Sequence, residues 1–378
     1  MREGIKAAIV TDSTSYEPRA EYVGEYLASH GCQVTWVESD FNHREKKKRT
    51  IAKENHLYIR SVPYKKNLSF RRFYYHWDFS RKAYACLKKE KWDLLYVLIP
   101  ANSLARTAAR LKGRATRAVV LDVIDLWPES LPVKGLQRTW PMEAWRKLRD
   151  KNLACADRIL TECDLYRRIL HLPEERTAVM YWPKDQKPVD MDFQGDRETI
   201  HIAYLGSVNH IIDIEGIAEL LAYINQRKKV KLHIIGTGES LEKFQNALKN
   251  RRIAFQFYGA VYDENVKKEI FSQCSFGINM MRRGICVGIT MKSVDYFCYG
   301  LPLINNIPGD TWELVNRCGI GVNCPWDELP AAAEQIVREA DKLQEKRGQI
   351  RQLYGRLFTR EAMEDVLRRN VLPLIEKH

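Results

Sequence analysis

What this chain lacks narrows it before anything it contains. No stretch approaches the ~18 to 20 apolar residues that a membrane-spanning helix needs. Its opening, MREGIKAAIVTDSTS, carries an apolar run that stops at Thr11 and Asp12, too short for a secretion signal and with no small-residue cleavage site behind it. A cytoplasmic protein is expected. The nine cysteines are scattered and never stand as Cys-x-x-Cys, so neither a zinc site nor a disulfide framework is signalled, and reduced thiols suit the cytosol. A complete Gly-x-Gly-x-x-Gly is missing, which removes the NAD fingerprint. The only Asp-x-Asp, Asp190 to Asp192, falls beside an expected linker, and no metal or cofactor is expected. Internal repeats and low-complexity tracts are absent too.

What is present fits two ordinary globular domains. A chain of 378 residues, 45% hydrophobic and 29% charged, exceeds what one core usually serves, roughly 150 to 200 residues. Apolar, β-branched runs (IKAAIVTD, QVTWVES, LLYVLIP, AVVLDVID, DRILTEC, TAVMYW) alternate with amphipathic segments, the pattern of a parallel sheet with helical crossovers. After the polar segment Trp182 to Pro188 the rhythm restarts with TIHIAYLGS, VKLHIIGTG, AFQFYGA, FGINMM, LPLINN and GIGVNC. The expected architecture is α/β: two Rossmann-like, doubly wound parallel-sheet domains facing across a cleft, at 1–183 and 189–355. A helical tail, 356–378, is expected to pack back on the first domain. Ligands in such sheets bind beyond the strands' carboxyl ends.

The charge is uneven. The net charge is +13, and from Arg44 to Lys91 sixteen Lys and Arg stand against four Asp and Glu. Phe70, Phe73, Tyr74, Tyr75, Trp77 and Phe79 are interleaved there. Lys46, Lys47, Lys48, Lys65, Lys66, Arg71, Arg72 and Trp77 therefore form a candidate surface for an anionic membrane or an acceptor. A solvated helix face near 69–90 is the plain alternative. Nucleic acid offers the same phosphate charge but is not expected.

Two segments carry most of the chemistry. In GITMKSVDYFCYGLPLI, Thr290 is an N-cap for a helix running to about Tyr299, with Gly300 in the position that favours a left-handed residue. A helix opening just past a strand aims unpaired N–H groups at the ligand crevice, which favours a diphosphate. Met291, Lys292 and Ser293 sit in its first turn, Lys292 adds a full charge, and Asp295 can accept from two ribose hydroxyls. An ordinary capped amphipathic helix is the plain alternative. In the first half, Asp122 to Ser130 (DVIDLWPES) ends a buried strand in polar groups, with Asp125 and Glu129 as candidate catalytic carboxylates. The weaker turns are Gly206, Ser207 and Asn209, where a tight turn brings amides to a phosphate, and the Gly236 to Gly238 loop, suited to close approach of a planar ligand. Arg282 and Arg283 are further candidates for diphosphate charge.

GITMKSVDYFCYGLPLI resembles the donor-binding signature of the family-4 glycosyltransferases of the GT-B fold, and Asp-Leu-Trp-Pro-Glu-Ser resembles the signature of their bacterial branch that builds capsule and O-antigen sugars. The resemblance implies that Asp295 holds the ribose of a nucleotide sugar. This chain departs from the pattern at three places. The first family glutamate falls at Val287, the Arg and Lys of the first donor turn are replaced by Ser207 and Asn209, and Ile124 stands where a His is usual. The reading is a hexosyltransferase-type, retaining glycosyltransferase using a nucleoside-diphosphate sugar, UDP first among them. Its acceptor is a glycan or lipid-linked chain in cell-surface polysaccharide synthesis, and its place is the inner face of the membrane. A sugar-nucleotide epimerase and a non-catalytic accessory subunit are the alternatives.

Overall fold

The computed structural model of the protein describes residues 4–49, 53–66, 69–131, 135 and 139–376. The chain divides into two units, Met1–Pro183 with Arg360–His378, and Lys184–Thr359.

The first unit is built on seven parallel strands. In chain order its elements are β1 (Ile5–Thr11), α1 (Glu17–Ser29), β2 (Cys32–Ser39), β3 (Phe41–Asn42), β4 (Lys47–Lys48), β5 (His56–Ile59), α2 (Phe70–Leu87), β6 (Trp92–Leu98), α3 (Ser103–Leu111), β7 (Thr116–Val123), α4 (Trp140–Asp150), β8 (Arg158–Thr161), α5 (Asp164–Ile169) and β9 (Thr177–Val179). The sheet order is β5-β2-β1-β6-β7-β8-β9, with β3 and β4 a separate antiparallel pair. Strand order reverses between β1 and β6, the place where such sheets take ligands. β5 has no counterpart among the strands expected from the sequence. It is an edge strand whose His56, Tyr58 and exposed Leu57 give no buried apolar run.

The second unit follows with β10 (Thr199–Leu205), α6 (Ile214–Asn225), β11 (Lys229–Ile235), α7 (Leu241–Asn250), β12 (Ala254–Gly259), α8 (Glu264–Gln273), β13 (Phe276–Asn279), α9 (Met291–Cys298), β14 (Leu303–Asn305), α10 (Asp310–Cys318), β15 (Gly321–Asn323), α11 (Leu329–Gln344) and α12 (Arg347–Leu357). Its six parallel strands run β12-β11-β10-β13-β14-β15, reversing between β10 and β13. The fully buried residues of β10, β11 and α6 (Ile202, Leu232, Ile217, Leu221) make its core.

Two last helices, α13 (Arg360–Asn370) and α14 (Pro373–Glu376), belong to the first unit. Met363, Leu367, Val371 and Ile375 are buried with Ala7 and Ile9 of β1 and Val23 and Leu27 of α1. The return therefore begins at Arg360, after α12, and not at 356. α12 stays in the second unit because Ile350, Leu353 and Tyr354 are buried there, and the Tyr354 hydroxyl donates to the Gln186 carbonyl at 2.6 Å.

One buried pair ties the first unit together. Arg19 of α1 forms a two-pronged ion pair with Asp122 of β7, 2.7 and 2.9 Å, and donates to the Met180 carbonyl at 2.8 Å. Both side chains are fully buried. Asp122, which the sequence places among the polar groups of a site, is a structural pin: its oxygens are taken by Arg19 and by the Tyr96 hydroxyl at 2.7 Å.

Candidate functional site

The reversal point of the second sheet places Gly206, just past β10, opposite α9, which opens after β13. Thr290 caps α9 by accepting from the Ser293 amide at 3.2 Å. Asn279, the last residue of β13, donates to both Thr290 Oγ1 and Ser293 Oγ at 2.7 Å, so the helix start is fastened to the strand end. Gly300, with φ +70°, closes the helix in the left-handed region.

Lys292 runs from the first turn of α9 toward the turn after β10. Its ammonium lies 3.4 Å from the Tyr204 hydroxyl and 4.5 Å from that ring's centre. Among the described residues no carboxylate pairs with it, and burial pulls its pKa down to about 8. A half-buried cation without a counter-ion is costly. It stands beside Gly206, whose φ is +109° and whose missing side chain would face only the Lys292 Cε, at 3.8 Å. That space is open.

The other glycines have a different reason. A Cβ on Gly236 would fall on the Gly206 carbonyl oxygen, and one on Gly238 on the Val208 carbonyl oxygen. The two loops pack backbone to backbone, and this by itself demands glycine there. The Gly206 and Val208 amides are likewise occupied, donating to the Ile235 and Thr237 carbonyls at 2.8 and 2.9 Å. What remains to meet an anion is the Ser207 amide, Lys292, and the α9 amides of Met291 and Lys292, which have no intrahelical partner. Ser207 is exposed, and Asn209 is turned to its own loop, accepting from the Ile211 amide at 3.1 Å. Arg283 pairs with Asp327 and lies over Trp326, while Arg282 is exposed. Nothing brings either arginine to Lys292.

Asp295, one turn along α9, pairs through Oδ1 with Lys184, a residue no sequence motif flagged because it lies 111 positions away. Its Oδ2 carries no bond to a described residue.

The reversal point of the first sheet gathers a second polar group. Asp12, just past β1, is buried and bonded to His76 of α2, itself 2% exposed. The Tyr75 hydroxyl donates to the Asp12 carbonyl. Asp12 Oδ1 and His76 Nε2 are both buried without a partner. His43 sits among the Thr14, Ser15 and Ser13 hydroxyls at 2.8, 3.1 and 3.3 Å. Burial, with Arg72, Lys46 and Arg44 nearby, lowers its pKa to about 4, so it is neutral at pH 7. No sequence motif singles out Asp12, His43 or His76; only the fold joins them.

The two carboxylates expected there differ. Asp125 accepts from Ser130 and Tyr16 at 2.9 and 3.2 Å, and burial raises its pKa. Glu129 is clamped by Arg149 and Arg146 at 2.8 and 2.9 Å. Burial works to raise its pKa, but the Arg149 and Arg146 bonds outweigh it and the carboxyl ends below the ordinary value. Glu129 therefore has the environment of a positioning residue, not of a base.

On α2 the basic stretch exposes Phe70 (83%), Tyr74 (50%) and Trp77 (46%), spaced to share one helix face. Lys47, Lys48, Lys65, Lys66 and Arg71 are exposed, and Arg72 instead lies over the Trp127 ring at 4.2 Å. No helix among the described residues is long and apolar enough to cross a membrane, and none of their His, Cys, Asp and Glu side chains cluster in threes or more to hold a metal.

No protein-family model matches this chain, and no curated protein does. Solved structures do. The chain is similar to the lipopolysaccharide outer core galactosyltransferase WaaB in its apo form, with TM-score 0.66 and 16% identity over 98% of this chain and 99% of that one. It is similar to Anabaena Alr3699/HepE in complex with UDP, with TM-score 0.65 and 10% identity over 98% and 100%. The pneumococcal O-GlcNAc transferase GtfA in complex with UDP and GlcNAc gives 0.60 and 11% over 99% and 100%. The chain has the GT-B fold of these glycosyltransferases.

Proposed function

We propose that the protein transfers a sugar from a nucleoside-diphosphate donor, a UDP-sugar first, and that the donor diphosphate sits between the Gly206 turn and the start of α9. The observation that carries this is Lys292: a half-buried ammonium with no carboxylate partner, at the reversal point of the sheet, beside open space and two unpaired helix amides. As the sugar–phosphate bond breaks, charge develops on the leaving diphosphate. Donors already aimed there stabilise it without reorganising, commonly the largest catalytic contribution. Asp295 Oδ2 is offered to the ribose, with Lys184 holding the other oxygen. Asp125 is assigned as the carboxylate that exchanges a proton with an acceptor hydroxyl, a reading its raised pKa supports. Retention of configuration, a glycan or lipid-linked acceptor, and a role in cell-surface polysaccharide synthesis follow from the family-4 resemblance. The exposed aromatic face of α2 supports docking on an anionic membrane.

The test is thermal stability against a panel of nucleotides and nucleotide sugars. A ligand at ~100 times its dissociation constant stabilises by about 2.7 kcal/mol. UDP is expected to raise the melting temperature of the wild type and not of Lys292→Met. No shift with any nucleotide would favour the non-catalytic alternative.

A further inference from the structure

Four strands end the two parallel sheets: β5 and β9 in the first unit, β12 and β15 in the second. β5 has four residues, β9 and β15 three each, and β12 six. An edge strand shows water a row of unpaired N–H and C=O groups. Proteins ordinarily blunt such an edge by keeping it short, charging it or placing proline in it. β12, Ala-Phe-Gln-Phe-Tyr-Gly, is long, uncharged and free of proline. Its one irregularity, where Ile235 pairs with Gly259 instead of Tyr258, comes at the carboxyl end, so Ala254 to Phe257 keep regular register with β11. Ala254, Gln256 and Phe257 are exposed.

Apolar surface continues from this edge into the next helix. Phe255 packs against the core of the unit, and Phe257, two positions on, is 41% exposed. Tyr262 (87%) and Val266 (40%) follow, four positions apart across the start of α8. The charges that bound the strand say what fits it. At its amino end Arg252 is exposed and forms no ion pair among the described residues. At its carboxyl end Asp263 is exposed, and its Oδ1 accepts only from the Asn265 and Val266 amides of α8, at 2.8 and 3.4 Å. Two such strands laid parallel set like charges together. Laid antiparallel, they bring the Arg252 end of each toward the Tyr262 and Asp263 end of the other, so the edge is complementary to itself.

We infer that β12 pairs antiparallel with β12 of a second copy of this chain about a two-fold axis, joining two six-stranded sheets into one. Main-chain bonds across the axis satisfy the open edge, and Phe257, Tyr262 and Val266 leave water with it. The order β12-β11-β10 keeps the axis two strands from the reversal point, so the Gly206 turn and Lys292 stay open in each copy. The inference does not draw on the glycosyl-transfer reading.

The test is sedimentation velocity on the full chain from about 1 to about 100 µM, the range of a modest interface. Wild type is expected to show a monomer–dimer equilibrium that ends at the dimer. Phe257→Lys sets two ammonium groups across the axis, and Arg252→Glu turns a carboxylate toward Asp263. Each is expected to raise the dissociation constant by about tenfold or more, while Arg252→Lys stays near wild type. Circular dichroism melts check the fold of each variant, and Tyr262→Lys replaces Phe257→Lys should the latter melt early. A wild type that stays monomeric throughout, or a dimer of unchanged strength in the lysine variant, would overturn the pairing. Unchanged strength in Arg252→Glu would overturn the antiparallel orientation. Species that grow past the dimer would overturn it too, because a two-fold contact consumes its own edge.

Discussion

Lys292 behaves as two different groups on either side of pH 8. Burial sets its pKa at about 8 in the unliganded chain, and a bound diphosphate favours the charged form, so the complex holds its proton to higher pH. Below pH 8 the cation is ready. Above it each binding event must also take up a proton, and UDP affinity is expected to fall by about tenfold per pH unit. Calorimetry at pH 7, 8 and 9 measures this, and Lys292→Met should be weak and flat throughout. A steep slope surviving in Lys292→Met would assign the titration elsewhere. Asp295→Ala is expected to weaken UDP binding as well; unchanged affinity would leave the Lys184–Asp295 pair a structural tie between the interdomain segment and α9.

At the scale of elements, α9 is set by its ends. Thr290→Ala removes the oxygen that accepts from Ser293 and strands one Asn279 N–H bond, and it should cost about 1 kcal/mol of stability, with Thr290→Ser recovering most of it in urea melts. That cap, and the left-handed Gly300 beyond it, were legible in the sequence because capping chemistry is local. The twelve parallel strands other than β5 were legible for the same reason, each being an apolar run bounded by turns. The Gly236 and Gly238 loop was visible, but not that its glycines answer to the Gly206 and Val208 carbonyls, a contact between distant segments. Another cross-element feature, invisible in one dimension, is the chain from Asp196 through His201 and His233 to the Tyr258 hydroxyl, with bonds of 2.9, 2.8 and 2.8 Å across β10, β11 and β12. Burial lowers the His233 pKa to about 4, below the ~6.5 of an unfolded His. Between these values the unfolded chain binds the extra proton, so stability is complete above about pH 6.5 and declines as pH falls toward 4, by roughly 3 kcal/mol. Urea midpoints at pH 7, 6 and 5 should fall in that order, and His233→Gln should fall less steeply.

For the whole molecule, two-domain organisation and doubly wound sheets could be read from rhythm, whereas the polar groups at the first sheet's edge could not. Asp12, His43, His76 and Asp125 come from four separate segments, and only folding makes them neighbours of one edge. The return of the last helices is the other long-range fact. Leu367 is fully buried in the first unit, so Leu367→Ala is expected to cost about 2 to 5 kcal/mol. Melting followed with and without UDP assigns the loss. If the UDP-stabilised transition moves as far as the other, the residue serves the second unit as well.

That return has a temporal meaning. A ribosome releases the residues of the first sheet long before it reaches Arg360, and the whole second unit emerges in between. Until Met363, Leu367 and Val371 arrive, the face formed by Ala7, Ile9, Val23 and Leu27 has no cover from them. The half of the protein made first is thus the half completed last, and the newborn chain carries a sticky, unfinished surface for most of its synthesis, the condition in which growing proteins most need chaperones.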